Sequence, residues 1–190
     1  MIQVSGLSKR FGNTVLFTNL SFTVNDGEHV ALSAPSGKGK TTLLRILCGL
    51  EKPDGGTVEG ITEKTVTYQF QEPRLFESLS ALENVACVLP DPKQGQSAAE
   101  ELLCRLGLGD ALQKRPSELS GGMKQRVALA RALIVDRPIV FLDEPFTALD
   151  EDLRCDLRQF LREKLQNKTL FLVSHDPKDL QALTNREIAF

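Results

Sequence analysis

A short apolar run, His29-Val-Ala-Leu32, feeds directly into the turn Ala34-Pro-Ser-Gly-Lys-Gly-Lys-Thr41, and a helical pattern begins where the turn ends. The spacing is that of G-x-x-x-x-G-K-[ST] with Ala34 in place of the first glycine, a motif that has a mechanism only between a strand and a helix. There the backbone N–H groups of the turn and the helix N-terminus face phosphate oxygens. Ala34, Pro35, Ser36, Gly37, Lys38, Gly39, Lys40, Thr41 and Thr42 are therefore predicted to line a phosphate site. Lys40 can reach β- and γ-phosphate oxygens and the Thr41 hydroxyl suits Mg2+. Lys38 is not the motif lysine, because Gly39 follows it. The Ala34 methyl disfavours positive φ. Either the backbone there lies in an ordinary region, which is the preferred reading, or phosphate binding is weakened.

The pattern repeats along the chain. Val15-Leu16 and Leu20 to Val24 read as short strands, and a helix from about Thr41 to Cys48 buries Leu43, Leu44, Ile46, Leu47 and Leu50 before Gly49 and Pro53 to Gly56 stop it. Thr65 to Phe70 reads as a strand. From about Glu77 to Val135 the composition turns helical, with helices over Ala98 to Leu106 and Gly121 to Val135. Strand Ile139 to Leu142, a charged helix over Asp152 to Gln166 and strand Thr169 to Val173 follow. Such alternation implies an α/β fold whose largely parallel sheet is covered by helices.

With 190 residues, 41% hydrophobic and 25% charged, the chain suits one domain that buries roughly 70% of its unfolded surface. A net charge of −2 argues against nucleic acid or anionic lipid as partner. Cys48, Cys87, Cys104 and Cys155 form no C-x-x-C pair and read as reduced, mostly structural thiols in apolar surroundings. The start MIQVSGLSKRF lacks the apolar core of a signal peptide, and no stretch approaches the roughly 18 apolar residues of a membrane span. A cytosolic chain is expected.

Two further stretches carry chemistry. Asp143-Glu144 ends the apolar strand Ile139 to Leu142, where a parallel sheet presents side chains at its carboxyl edge. There Asp143 suits a hold on Mg2+, and Glu144 can polarise water toward a γ-phosphate. Leu119-Ser-Gly-Gly-Met-Lys-Gln-Arg126 is a second Gly-rich turn heading its own helix, with Ser120 as its N-cap. Taken alone it is an ordinary helix start. Phe11 alone is as readily a core aromatic, Gln71 a polar loop residue and His175 a bland surface residue.

Found in this order, the motifs resemble those of the nucleotide-binding subunits of ATP-binding cassette (ABC) transporters over nearly the whole chain. The resemblance implies a P-loop NTPase fold with an N-terminal antiparallel β subdomain and an inserted α-helical subdomain. The core would span 1–76 and 136–190, and the helical subdomain 77–135. It implies ATP and Mg2+ as ligands. Phe11 is the aromatic stacked on adenine, and Gln71 is the Q-loop glutamine, near Mg2+ and the γ-phosphate. Thr147-Ala-Leu-Asp150 is the D-loop, and His175 in Val-Ser-His-Asp is the switch histidine. Ser120, Gly121 and Gly122 would meet the γ-phosphate held by another subunit, in a head-to-tail dimer enclosing two ATP molecules and expected to be a homodimer.

The resemblance also implies permease subunits docked beside Gln71, with Arg74, Leu75 and Phe76 as contacts. A solute-binding protein and a place on the cytoplasmic face of the cell membrane follow. Gln71-Glu-Pro-Arg-Leu75, Leu82-Glu-Asn-Val85, Met123 and a short segment from Gly55 to Gln69 are similar to the importer branch for nitrate, sulfonates and taurine. The end at Phe190 gives the expectation that the family's terminal hairpin and regulatory extension are absent. Two rivals remain. A soluble ABC-type ATPase of DNA repair or translation would associate with nucleic acid or ribosomes, and a P-loop small-molecule kinase would need a phosphoacceptor and no LSGGMKQR.

Overall fold

A computed structural model describes all residues, 1–190. The chain divides into two compact units, one of Met1–Tyr68, Arg137–Asp143 and Leu161–Phe190, the other of Gln69–Asp136 and Glu144–Phe160.

The first unit holds a sheet in the order β5(Val66–Gln69), β6(Ile139–Asp143), β7(Thr169–Val173), β3(His29–Ser33), β8(Arg186–Ala189). Strands β6 and β7, β7 and β3, and β3 and β8 pair in parallel. Every residue of β6 and β7 is buried, as expected for parallel strands covered on both faces, which therefore read as continuous apolar runs. Phe141 meets Phe171 edge-on at 5.1 Å and Tyr68 at 6.1 Å. Each large side chain so buried contributes roughly 2 kcal/mol. Helix α1(Lys40–Leu47) turns Leu43, Leu44, Ile46 and Leu47 inward.

A second sheet, β2(Thr14–Val24), β1(Ile2–Phe11), β4(Gly55–Glu59), is antiparallel. Here the structure corrects the expectation of two short strands: β2 runs unbroken past Asn19. That residue takes a φ of 53° inside a shifted register, and its N–H donates to Ser8 Oγ at 2.9 Å. The polar interruption is a bulge, not an end. The chain closes this unit with α6(Pro177–Leu183) and β8.

The second unit is helical. α2(Ala81–Ala86) starts on a capping box in which Ser80 Oγ accepts from Glu83 N–H and Glu83 accepts from Ser80 N–H. α3(Gln96–Arg105) follows, and then α4(Gly121–Leu133), whose buried face carries Gly122, Gln125, Leu129, Ala132 and Leu133. The first part of α5(Glu151–Lys164) belongs here as well. All four cysteines are free thiols; Cys48 is buried and Cys87 half-buried, but Cys104 and Cys155 are exposed, which corrects the expectation of apolar surroundings for every one of them. No helix is long and apolar enough to cross a membrane.

Candidate functional site

In the first unit three strands end side by side in the order β6, β7, β3, and residues predicted to bind nucleotide lie at or beyond their ends. β3 runs into the Ala34–Gly39 turn. Gly37 and Gly39 take φ of 77° and 96°, the left-handed region that glycine enters cheaply. Gly39 has a second reason to be glycine, since a Cβ there would lie 3.0 Å from Leu16 Cδ1. Ala34 has no positive φ, so its methyl is unstrained. Its carbonyl accepts from the Lys40 ammonium at 2.8 Å, which places Lys40 across the mouth of the turn. Lys38 N–H donates to Pro35 O at 3.1 Å, while Ser36, Gly37 and Lys38 are exposed.

Asp143 closes β6, pairs with Val173 in register and is 1% exposed. Tyr68 donates its hydroxyl to Asp143 Oδ2 at 3.1 Å. Burial raises the Asp143 pKa, opposed by hydrogen bonds from Thr41 and Tyr68 and by the charges of Arg45 and Lys40. Burial also pushes the Tyr68 hydroxyl far above its ordinary range, aided by the Asp143 charge, so Tyr68 stays a donor. Asp143 Oδ1 is buried without a hydrogen bond. A buried carboxylate oxygen without a partner is costly, and a hard dication with oxygen ligands fits that place beside the Thr41 hydroxyl. These residues suit Mg2+.

His175 follows β7 and is exposed. Its position is set on both sides. Ser174 Oγ donates to Asp179 Oδ2 at 2.8 Å, and Asp176 caps α6 by accepting from Lys178 N–H at 2.9 Å. Phe11, at the end of β1, is 52% exposed, with the Lys9 ammonium 4.9 Å from its ring centroid. Phe11 is therefore not a core aromatic.

The second unit carries the other predicted residues. Gln71 is exposed just past β5. The segment after it is pinned. Arg131 of α4 donates to Pro73 O and Arg74 O at 2.9 Å each, and Asn84, fully buried, binds both the N–H and the carbonyl of Phe76. Phe76 itself is 54% exposed. Glu144 takes a φ of 54°, unusual for a residue with a side chain and a kind of strain that clusters at functional sites.

Ser120 caps α4, accepting from Met123 N–H at 3.2 Å. Ser120 and Gly121 are exposed, whereas Gly122 is buried. A Cβ on Gly121 would meet nothing within 4 Å, but one on Gly122 would lie 2.5 Å from Ala148 O. Asp150 is exposed and its Oδ1 accepts from Leu153 N–H at 2.9 Å. Sequence reasoning passed over Tyr68, Asn84 and Gln125. Gln125 left a signal, being a polar residue on the apolar face of a helix.

Comparison with known proteins gives a consistent answer. A protein-family model described as ABC transporter matches residues 17–147. The sulfate/thiosulfate import ATP-binding protein CysA of Neisseria meningitidis is 42% identical over 94% of this chain and 55% of its own length. That of Bradyrhizobium diazoefficiens is 38% identical over 98% of this chain and 60% of its own length. The chain thus spans little more than half the length of these relatives. They are named for sulfate and thiosulfate, not for the nitrate, sulfonates and taurine to which Gln71 to Leu75 and Met123 pointed, so the likeness extends to import ATP-binding proteins and not to that branch.

Among solved structures, a dimeric post-hydrolysis state of the ATP-binding cassette MJ0796 bound to ADP and Pi superposes with a TM-score of 0.90 at 28% identity, covering 100% of this chain and 94% of that one. A family match over most of the length, together with relatives at this identity and the cassette fold, shows that the chain belongs to the ABC transporter family and carries the ATP-binding cassette with which that family hydrolyses ATP.

Proposed function

We propose that this chain is the ATP-hydrolysing subunit of an importer for a small oxyanion, working as a dimer on the cytoplasmic face of the membrane with permease subunits and a solute-binding protein. The observation that carries the reading is the carboxyl edge of the parallel sheet, where Lys40, Thr41, Asp143 and His175 follow three neighbouring strands. In this reading Phe11 stacks on adenine, and the residues from Ala34 to Thr42 hold the phosphates through backbone N–H groups and the Lys40 ammonium. Thr41, Asp143 and, on the family resemblance, Gln71 would hold Mg2+, which would offset charge on the phosphates. Glu144 would polarise the attacking water toward the γ-phosphate, and His175 and Gln71 would respond to the product.

Gly121 supports a dimer. Its φ is ordinary and nothing in the chain crowds a Cβ there, so at the first position of α4 no local constraint calls for glycine. The chain therefore carries a glycine its own fold does not require, as a surface built for close approach by a ligand would. In the reading, Ser120, Gly121 and Gly122 meet the γ-phosphate held by the partner cassette, Asp150 lies at the same junction, and Arg74, Leu75 and Phe76 face the permease. The relatives named for sulfate and thiosulfate import support an oxyanion as the solute.

Glu144→Gln is the test. It should bind ATP, accumulate as a dimer by light scattering and hydrolyse at least about a hundredfold more slowly. Wild-type turnover by this variant would overturn the role of Glu144 and the reading with it.

A further inference from the structure

The segment after β6 holds two non-glycine residues in the left-handed region, Glu144 at φ 54° and Ala148 at φ 62°. Such conformations persist only where neighbours over-determine them. For both residues a neighbour comes from α4. Gln125, 3% exposed, donates from Nε2 to the Glu144 carbonyl at 3.2 Å. That carbonyl also accepts the Thr147 N–H at 3.3 Å, closing a turn through Pro145, so both of its lone pairs are engaged. One helical turn earlier, Gly122 gives Ala148 O room that any Cβ would take, at 2.5 Å.

An amide on the buried face of a helix costs more than an aliphatic side chain of the same size unless it is hydrogen-bonded. Methionine or leucine would suit the packing of α4 at position 125 better, so the glutamine is explained by its bond to Glu144. Rotating the Glu144 peptide turns the Cα–Cβ bond with it, and thus the direction of the carboxylate.

We infer that Gln125 is a positioning residue for Glu144: it holds the left-handed backbone that aims the carboxylate, and it ties that aim to the helix beginning at Ser120. The inference rests on the role proposed for Glu144. Whatever the Ser120–Gly122 turn senses then reaches the water-polarising group of the same chain through one side-chain amide and one helical turn. Hydrolysis becomes dependent on how α4 sits, with nucleotide affinity at the phosphate loop left alone.

The experiment compares the full wild-type chain with Gln125→Met, close in shape and without the donor, and with Gln125→Leu as a second variant should the first fold poorly. The expected result is a kcat lower by about tenfold to a hundredfold, the range a misplaced group produces, with the ATP concentration at half-maximal rate changed by less than about twofold. Hydrogen exchange supplies a readout independent of activity. The amides of Phe146, Thr147 and Ala148 should exchange faster in the variant while those from Val127 to Ala132 keep their wild-type rates. An unchanged kcat, or exchange that accelerates along α4 as much as in the turn, overturns the inference. Failure of the wild-type chain to hydrolyse ATP overturns the role of Glu144 instead, and exchange at Thr147 then decides the strut alone, with a wild-type rate in Gln125→Met refuting it.

Discussion

Gly39 and Gly121 each stand at the start of a helix whose N–H groups face phosphate in the proposed mechanism, and they lack a side chain for opposite reasons. Gly39 is demanded by the chain itself, with a φ of 96° and Leu16 Cδ1 3.0 Å from any Cβ. Gly121 has an ordinary φ and open space. The regions around them differ in the same way. About the phosphate loop, Lys40 is bonded to Ala34 O and Asp143 is buried under Tyr68. About the Gly-rich turn that heads α4, Ser120 and Gly121 are exposed. One region is filled by its own residues, and the other lies open, where the proposed mechanism sets the partner's nucleotide.

Substitutions can break that contrast. The largest effects come from Lys40→Ala and Ser120→Arg measured as a pair. Lys40→Ala should weaken ATP binding by the isolated chain by about a hundredfold, as expected for loss of a charge-assisted contact of about 3 kcal/mol. Ser120→Arg should leave that binding within about twofold and abolish both dimer closure and turnover, because it blocks only the open region. Equal loss of monomer affinity in both, read by fluorescent nucleotide titration, would show the two regions are not distinct in kind.

Next come the glycines. Gly39→Ala should destabilise by about 1–3 kcal/mol in urea unfolding, since it adds left-handed strain to a contact with Leu16. Gly121→Ala should be neutral or stabilising by up to about 1 kcal/mol while turnover falls. A stability loss at Gly121 comparable to that at Gly39 would remove the argument for a ligand-facing surface.

Tyr68→Phe sharpens the filled side. Loss of the hydroxyl that fixes Asp143 Oδ2 should weaken Mn2+ binding about tenfold, seen by electron paramagnetic resonance in the presence of nucleotide, with ATP binding in chelator unchanged. The smallest effect belongs to Ala34→Gly. Because Ala34 already lies at an ordinary φ, nucleotide affinity should change by less than about threefold, and stability should fall by about 0.5–1 kcal/mol from added chain entropy. A large gain in affinity would show that the methyl obstructs phosphate.

Much of this contrast is legible in the sequence alone. The strand, loop and helix from His29 to Leu47, the acidic end of β6 and the cap at Ser120 all have local causes: apolar runs, glycines where the backbone turns, and a hydroxyl before a helix. The elements that escaped notice have causes elsewhere in the chain. In β1 the alternation is broken by Gly6 at φ 63° and by shifted register, and in β8 only Ile188 is buried. α2 is short, although Ser80 and Glu83 spell its capping box. Tyr68 and Gln125 act through Asp143 and Glu144, residues 75 and 19 positions away, a pairing that periodicity cannot express.

Arg131 has one more consequence. Its guanidinium grips the backbone at Pro73 and Arg74 and lies 5.6 Å from the Phe76 ring, while the same helix, two turns earlier, reaches Glu144 through Gln125. Helix α4 is thus a rigid rod fastened to a surface loop near one end and to a strained turn near the other. Whatever pushes on Phe76 loads that rod along its length, and the force arrives at Glu144, the residue proposed to polarise the attacking water.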